Sequence, residues 1–239
     1  MLMERDAFRD ELERTLHNKL TLSHPMFDIL FDPENPDRHT LQKVALQGYQ
    51  LTKHFLDYIE TLFYYCPKAD GKHKRRLLFN LYEEETGRIS KTKNHVQLME
   101  DFLRAIGIDD ATRDAETALP ATQELIDYRM TAVKNPETYH IGAAAVMIAS
   151  EGQNLETRGA DARDILFKRV YGLKDEDLLF FSVHQEEDVH HVRHGLDLVA
   201  DICTTEEQQS EALYAVGHTC DLFYNMYEGI YQEYKAGRL

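Results

Sequence analysis

The stretch Phe180-Phe181-Ser182-Val183-His184-Gln185-Glu186-Glu187-Asp188-Val189-His190-His191 decides how this chain is read. His184, Asp188 and His191 fall at i, i+4 and i+7, and a helix of about 3.6 residues per turn sets all three on one stripe. Extended both ways, the stripe runs Asp177, Phe181, His184, Asp188, His191, Gly195, Leu198, Ile202. Its apolar members turn it inward and carry two imidazoles and a carboxylate with them. A buried, unpaired carboxylate is strongly disfavoured. A bound cation offsets that cost, and this N/O donor set suits iron or manganese. A hydrogen-bonded Asp–His network in the core is the competing reading. The second pair, His190 and His194, shares its stripe with Val183, Glu187, Asp197 and Asp201, and reads as a solvated face.

The rest of the chain repeats the helical period, and alternating strand patterns are nearly absent. Helices are expected over roughly 3–22, 39–66, 72–86, 92–106, 116–134, 137–158, 160–171, 175–203 and 205–235. Asp32-Pro33-Glu34-Asn35-Pro36-Asp37 is a turn cluster, and Cys66-Pro67 with Asp70-Gly71 ends the second helix. Gly107 is placed as a C-cap, Asn135-Pro136 separates two helices, and Thr204-Thr205-Glu206-Glu207 opens the last one. No repeat or linker divides residues 1–239. The expectation is one all-α domain.

Bulk properties narrow the classes of function. Hydrophobic residues make up 43% and charged residues 29%, a globular profile. A formal charge of −15 argues against a nucleic-acid backbone or an anionic membrane as partner, and bound cations would offset part of it. Cys66, Cys203 and Cys220 form no CxxC pair, and their odd number suits a reducing cytoplasm better than a disulfide framework. The start, Met1-Leu2-Met3-Glu4-Arg5-Asp6, has no apolar run of signal-peptide type. The longest apolar run, Ile141 to Ala149, is far short of the ~20 residues of a membrane span. A cytoplasmic protein is expected.

Other segments add donors. Glu151 follows Ile141-Gly142-Ala143-Ala144-Ala145-Val146-Met147-Ile148-Ala149-Ser150 and shares a stripe with Ala144, Met147, Ile148 and Leu155. A carboxylate on so apolar a face needs a partner. A metal is one, and Arg158, seven residues on, is another, unless that arginine grips an anionic substrate group. In Asn80-Leu81-Tyr82-Glu83-Glu84-Glu85-Thr86-Gly87, Glu84 lies inward with Leu77 and Leu81, and Glu85 is its substitute. His95 follows eleven residues after Glu84, near three helical turns, although Gly87 breaks that register. Glu60 shares a stripe with Tyr49, Leu56 and Phe63, with Asp57 or a surface role as alternatives. Carboxylates and imidazoles gathered from several helices are how bundles hold two irons. The usual Glu-x-x-His pair of ferritin-like proteins is not evident.

With these elements in order, the chain resembles the haem-oxygenase-like di-iron oxidases and oxygenases. The resemblance runs from about Leu22-Ser23-His24 to the last helix. It rests on Asn80 to Gly87 with Asn94-His95, on Ser150-Glu151, and on His184-x-x-x-Asp188-x-x-His191. It implies a seven-helix bundle that binds no haem, and two Fe(II) per chain, with a manganese–iron pair as variant and O2 as co-substrate. It implies Glu84, His95, Glu151, His184, Asp188 and His191 as ligands and catalytic residues, with Glu60 as an added metal carboxylate. One iron would take Glu84, His95 and a bridging carboxylate, the other His184, His191 and Asp188, with Glu151 shared. Arg158, Arg193 and Tyr82 are substrate contacts or surface residues.

The family's chemistries include N-oxygenation of amino or guanidino groups, oxidative C–C cleavage of amino or fatty acids, and formation of para-aminobenzoate. The para-aminobenzoate-forming, death-domain-associating branch uses an internal tyrosine and has a shorter Glu-to-His loop. Here Phe27 follows His24-Pro25-Met26, and the longer loop with Glu60 resembles the N-oxygenating branch. The expected activity is therefore an O2-dependent oxidation of a small molecule, leaning to N-oxygenation, with C–C cleavage or para-aminobenzoate-type synthesis as alternatives. An external electron donor belongs to that expectation. A non-catalytic helical interaction module is the reading from another class, and retention of the donor set speaks against it. Tyr214, Tyr224, Tyr227, Tyr231 and Tyr234 in the last helix are either core or a homodimer surface.

Overall fold

A computed structural model describes residues 1–67, 71–153 and 162–239, with residues 185–188 described by their backbone alone. Among the described residues the regular structure is helical, with no strand. The helices are α1 (Arg5–His17), α2 (Met26–Leu30), α3 (Arg38–Thr52), α4 (Phe55–Tyr65), α5 (Gly71–Thr86) and α6 (His95–Ala105). They continue as α7 (Asp110–Ala115), α8 (Pro120–Val133), α9 (Tyr139–Ala143), α10 (Arg163–Tyr171), α11 (Leu179–Ile202) and α12 (Glu206–Lys235). None of these is long and apolar enough to cross a membrane.

Several boundaries have a local cause. Asp37 caps α3 by accepting from the Thr40 amide, and Asn94 caps α6 by accepting from Gln97. Thr205 and Gln208 form a reciprocal capping box at the start of α12, where the sequence sets its cap. The long helix expected over 39–66 is broken at Lys53–His54 into α3 and α4. The segment expected to start at 92 begins at His95 instead, behind its Asn94 cap. The short helices α2 and α7 arise in stretches read as loop.

Packing follows the apolar stripes. In α1, Phe8, Leu12 and Leu16 are fully buried at four-residue intervals, and the helix lies against α11 and α12. The centre of the bundle is the segment after α9. From Ala144 to Ser150 the chain is π-helical, wound wider than an α-helix, and Ala143 to Ala149 are almost wholly excluded from solvent. This π segment packs against α11 and α12, with α8 and α1 beside it. One glycine sets its distance from α11. A Cβ on Gly195 would stand 2.4 Å from the Met147 carbonyl oxygen, so only glycine admits this approach. In α12, Tyr227 is core, whereas Tyr214, Tyr224 and Tyr234 reach solvent. The three cysteines are buried and unbridged.

Candidate metal centre

Glu84 stands near the end of α5, buried with Leu77, while Glu85 faces solvent. The helix stops at Thr86 because Gly87 takes φ +61°, where a Cβ would lie 2.2 Å from the Lys93 carbonyl oxygen. The returning loop is held by Glu83, whose carboxylate accepts from the Ile89 amide at 2.6 Å and the Ser90 amide at 3.1 Å. His95, the first residue of α6, is thereby brought back onto Glu84, with Nδ1 2.7 Å from Oε2. The eleven-residue spacing works through a loop, not through continuous helical turns.

From α11, His184 places Nε2 2.7 Å from the same Nδ1 of His95. The other ring nitrogen of His184, Nδ1, hydrogen-bonds the Phe180 carbonyl. A carbonyl only accepts, so Nδ1 carries a proton and the ring is held by it. Donor atoms of Glu84, His95 and His184 all lie within 4.8 Å of one another. Burial alone would push the Glu84 carboxyl up. His95, by charge and hydrogen bond, and His184 and His191 by charge, overcome this and hold it at about 2. An ionised carboxylate and two imidazoles converge on one point, and a divalent cation that displaced the His95 Nδ1 proton would find two nitrogen ligands and an oxygen there. Without thiolate, the set favours iron or manganese.

A second pair stands beside it. Glu151, on the first helical turn after the π segment, has Oε1 3.4 Å from Nδ1 of His191 and accepts from the Asn80 side-chain amide at 3.0 Å. Glu151 and His191 are both buried. Glu151 lines the same cavity as His95 and His184, so the two groups stand in one buried environment. The partition differs from the expected one. His184 stands with Glu84 and His95, and His191 faces Glu151. The Asp188 side chain and Arg158 lie outside the described residues.

Glu60 is a correction. It is exposed on α4, because Phe55, Tyr58, Ile59 and Leu62 form the buried face of that helix and leave Glu60 on the other side. Asp57, its alternative, is also exposed. Arg193 and Tyr82 are surface residues. His190 is exposed as expected, whereas His194 is half-buried among Arg76, Leu77 and Leu198. Asp177 leaves the α11 stripe altogether and caps a turn by accepting from the Lys174 amide.

Sequence reasoning also missed several residues. Phe55 stacks on His95 at 5.2 Å between ring centroids, and Phe180 lies 4.5 Å from His184, so the imidazoles are walled by aromatic rings. Glu83 and Asn80 support the donors. Arg129 was detectable: it interrupts the apolar face Leu125, Ile126, Ala132 and Val133 just as Glu151 interrupts its own. From the donors a cavity of about 160 Å³ extends between helices, past Phe27, Met99 and Phe181.

Residues 42–224 match the model of a family of iron-containing redox enzymes. This chain belongs to that family. Among curated members of similar sequence, a 4-aminobenzoate synthase of Nitrosomonas europaea is 28% identical over 243 residues, covering 98% of this chain and 95% of the relative. A 4-aminobenzoate synthase of Chlamydia muridarum is 26% identical over 193 residues, covering 80% and 77%. The fold is that of a haem-oxygenase-like domain from Shewanella denitrificans, with a TM-score of 0.72 at 18% identity over 98% of this chain and 95% of that one.

Proposed function

We propose that this protein is a non-haem di-iron enzyme that uses O2 to oxidise a small molecule, with chemistry of the 4-aminobenzoate synthase type. The observation that carries the reading is the convergence of Glu84, His95 and His184, with Glu151 and His191 in the same buried environment. Glu84, His95 and His184 would hold one iron, and Glu151 and His191 the other. When bound, the iron pair supplies the electrons that reduce O2.

The chain's own groups do the rest. The His184 ring is held by the Phe180 carbonyl, and Asn80 fixes the orientation of the Glu151 carboxylate. Phe55 and Phe180 exclude water around the imidazoles. The cavity delivers a substrate of limited size to the donors. The relatives' names favour aminobenzoate formation over the N-oxygenation suggested by sequence. That suggestion drew partly on Glu60, which faces solvent. Phe27 lines the cavity and has no phenol, so this reading takes the oxidised molecule from solution.

Anaerobic addition of Fe(II) followed by metal analysis should give about two irons per chain. Exposure to O2 should then consume oxygen, and mass spectrometry should detect 4-aminobenzoate when candidate aromatic precursors and a reductant are supplied. No iron uptake, or oxygen consumption unchanged in Glu84→Gln and His184→Ala, would overturn the reading.

A further inference from the structure

Arg129 on α8 is a cation in the core, 2% exposed and the largest of the fully buried side chains. It lines the same cavity as His95, His184 and Glu151. Its Nε donates to the Leu125 carbonyl at 3.3 Å, and Nη1 reaches the Ser150 hydroxyl at 3.4 Å, a long contact. That hydroxyl donates its own proton to the Ala145 carbonyl at 2.9 Å, which turns its lone pairs toward the guanidinium. Nη2 has no hydrogen-bond partner among the described residues. Nor does any described carboxylate form an ion pair with Arg129. The guanidinium is instead packed against the Tyr58 and Phe223 rings, at 4.8 and 5.4 Å from their centroids, and the Tyr58 phenol is its neutral polar neighbour.

Two aromatic faces soften the loss of water around a cation without replacing a counter-ion. A guanidinium held this way offers a planar fork that matches a carboxylate. We infer that Arg129 anchors the carboxylate of a small acid bound in the cavity, with the acid's apolar body directed past Phe55 toward the iron ligands. Ser150 ties the two ends together, since it touches Arg129 and immediately precedes Glu151. The size agrees: about 160 Å³ is close to a cavity that accommodates a single benzene ring. Benzoate-like or short aliphatic acids fit this description. This substrate class rests on the oxidative reading of the site, but the anchor itself does not need iron.

The test is therefore direct binding, measured by calorimetry on the metal-free chain and repeated after Fe(II) loading. Benzoate and its neutral analogue benzamide are the probes. Benzoate should bind the metal-free protein about tenfold or more tightly than benzamide, the fold-change expected for a hydrogen bond to a charged group. Arg129→Met should erase that preference while iron uptake stays at the wild-type level, and Arg129→Lys should restore part of it. Equal affinity of the wild type for the two probes would overturn the anchor, as would a preference that survives Arg129→Met. Should both variants fail to fold, Arg163→Met, at the other guanidinium that lines the cavity, separates the two: a benzoate preference that it leaves intact supports Arg129, and one that it erases overturns the anchor. A chain that binds benzoate through Arg129 yet takes up no iron would keep the anchor and sink the oxidative reading.

Discussion

Glu84 is an anion kept in the interior by imidazoles, and its charge has a use only if a cation arrives. Glu84→Gln keeps the shape and removes the charge. It should weaken Fe(II) binding by more than the roughly 10–100-fold that loss of a supporting contact costs, as read by anaerobic titration. At this scale the sequence was legible where a polar residue interrupted an apolar stripe. Glu84, Glu151, His184 and His191 were found that way, and all are buried. Glu60 shows the limit of the same rule. Its stripe included Leu56 and Phe63, but the helix packs through Phe55, Ile59 and Leu62, one position round. Asn80 and Glu83 were hidden because their partners, Glu151 and the 89–90 amides, are met only after the chain folds back.

Among the elements, the contact of α11 with the π segment carries the greatest demand. Gly195→Ala inserts a methyl group against the Met147 carbonyl, which cannot swing aside as a side chain would. A cost of about 1–3 kcal/mol is expected, as for other overpacked interiors. At about 2–4 °C per kcal/mol for a chain of this size, calorimetry should resolve it. Iron affinity should fall as well, because the same shift separates His191 from Glu151. The helical period, the caps and the turn clusters placed the major helices. The break at Lys53–His54 was not visible, since no glycine or proline marks it. The π winding was equally silent, because a run of alanines fits either helix.

At the scale of the molecule, charge decides how the fold responds to acid. Asp197 and Asp201 on α11 gather Arg5 and Arg9 of α1 with Arg76 and His73 of α5, tying three helices at one edge. Burial pushes both carboxyls up, and hydrogen bonds from these partners more than reverse it, holding both below the usual range. The stability they contribute is present above their unfolded value near 3.8 and is lost as pH falls through the lower folded values. His194 acts earlier. Burial first, then Arg76 and the neighbouring histidines, push it down from 6.5 to about 4. The unfolded chain takes up that proton first, so stability declines as pH falls from 6.5 to about 4. Urea midpoints of the metal-free chain should show this decline, and His194→Gln should flatten it while leaving the loss below pH 4 in place. An unchanged slope in the variant would refute the assignment.

The wide winding from Ala144 to Ser150 also stores one residue of slack. Removing one alanine from Ala143–Ala145 would let the segment relax to an ordinary α-helix. A wide turn holds about one residue more than an α-helical one, so Glu151 would keep nearly its old angle and still face Asn80 and His191. One inserted alanine finds no such slack and turns Glu151 away, since each α-helical residue adds about 100°. The shortened chain should therefore keep its circular-dichroism spectrum and its Fe(II) uptake, whereas the lengthened chain should keep the first and lose part of the second. A length change of one residue is forgiven in one direction alone.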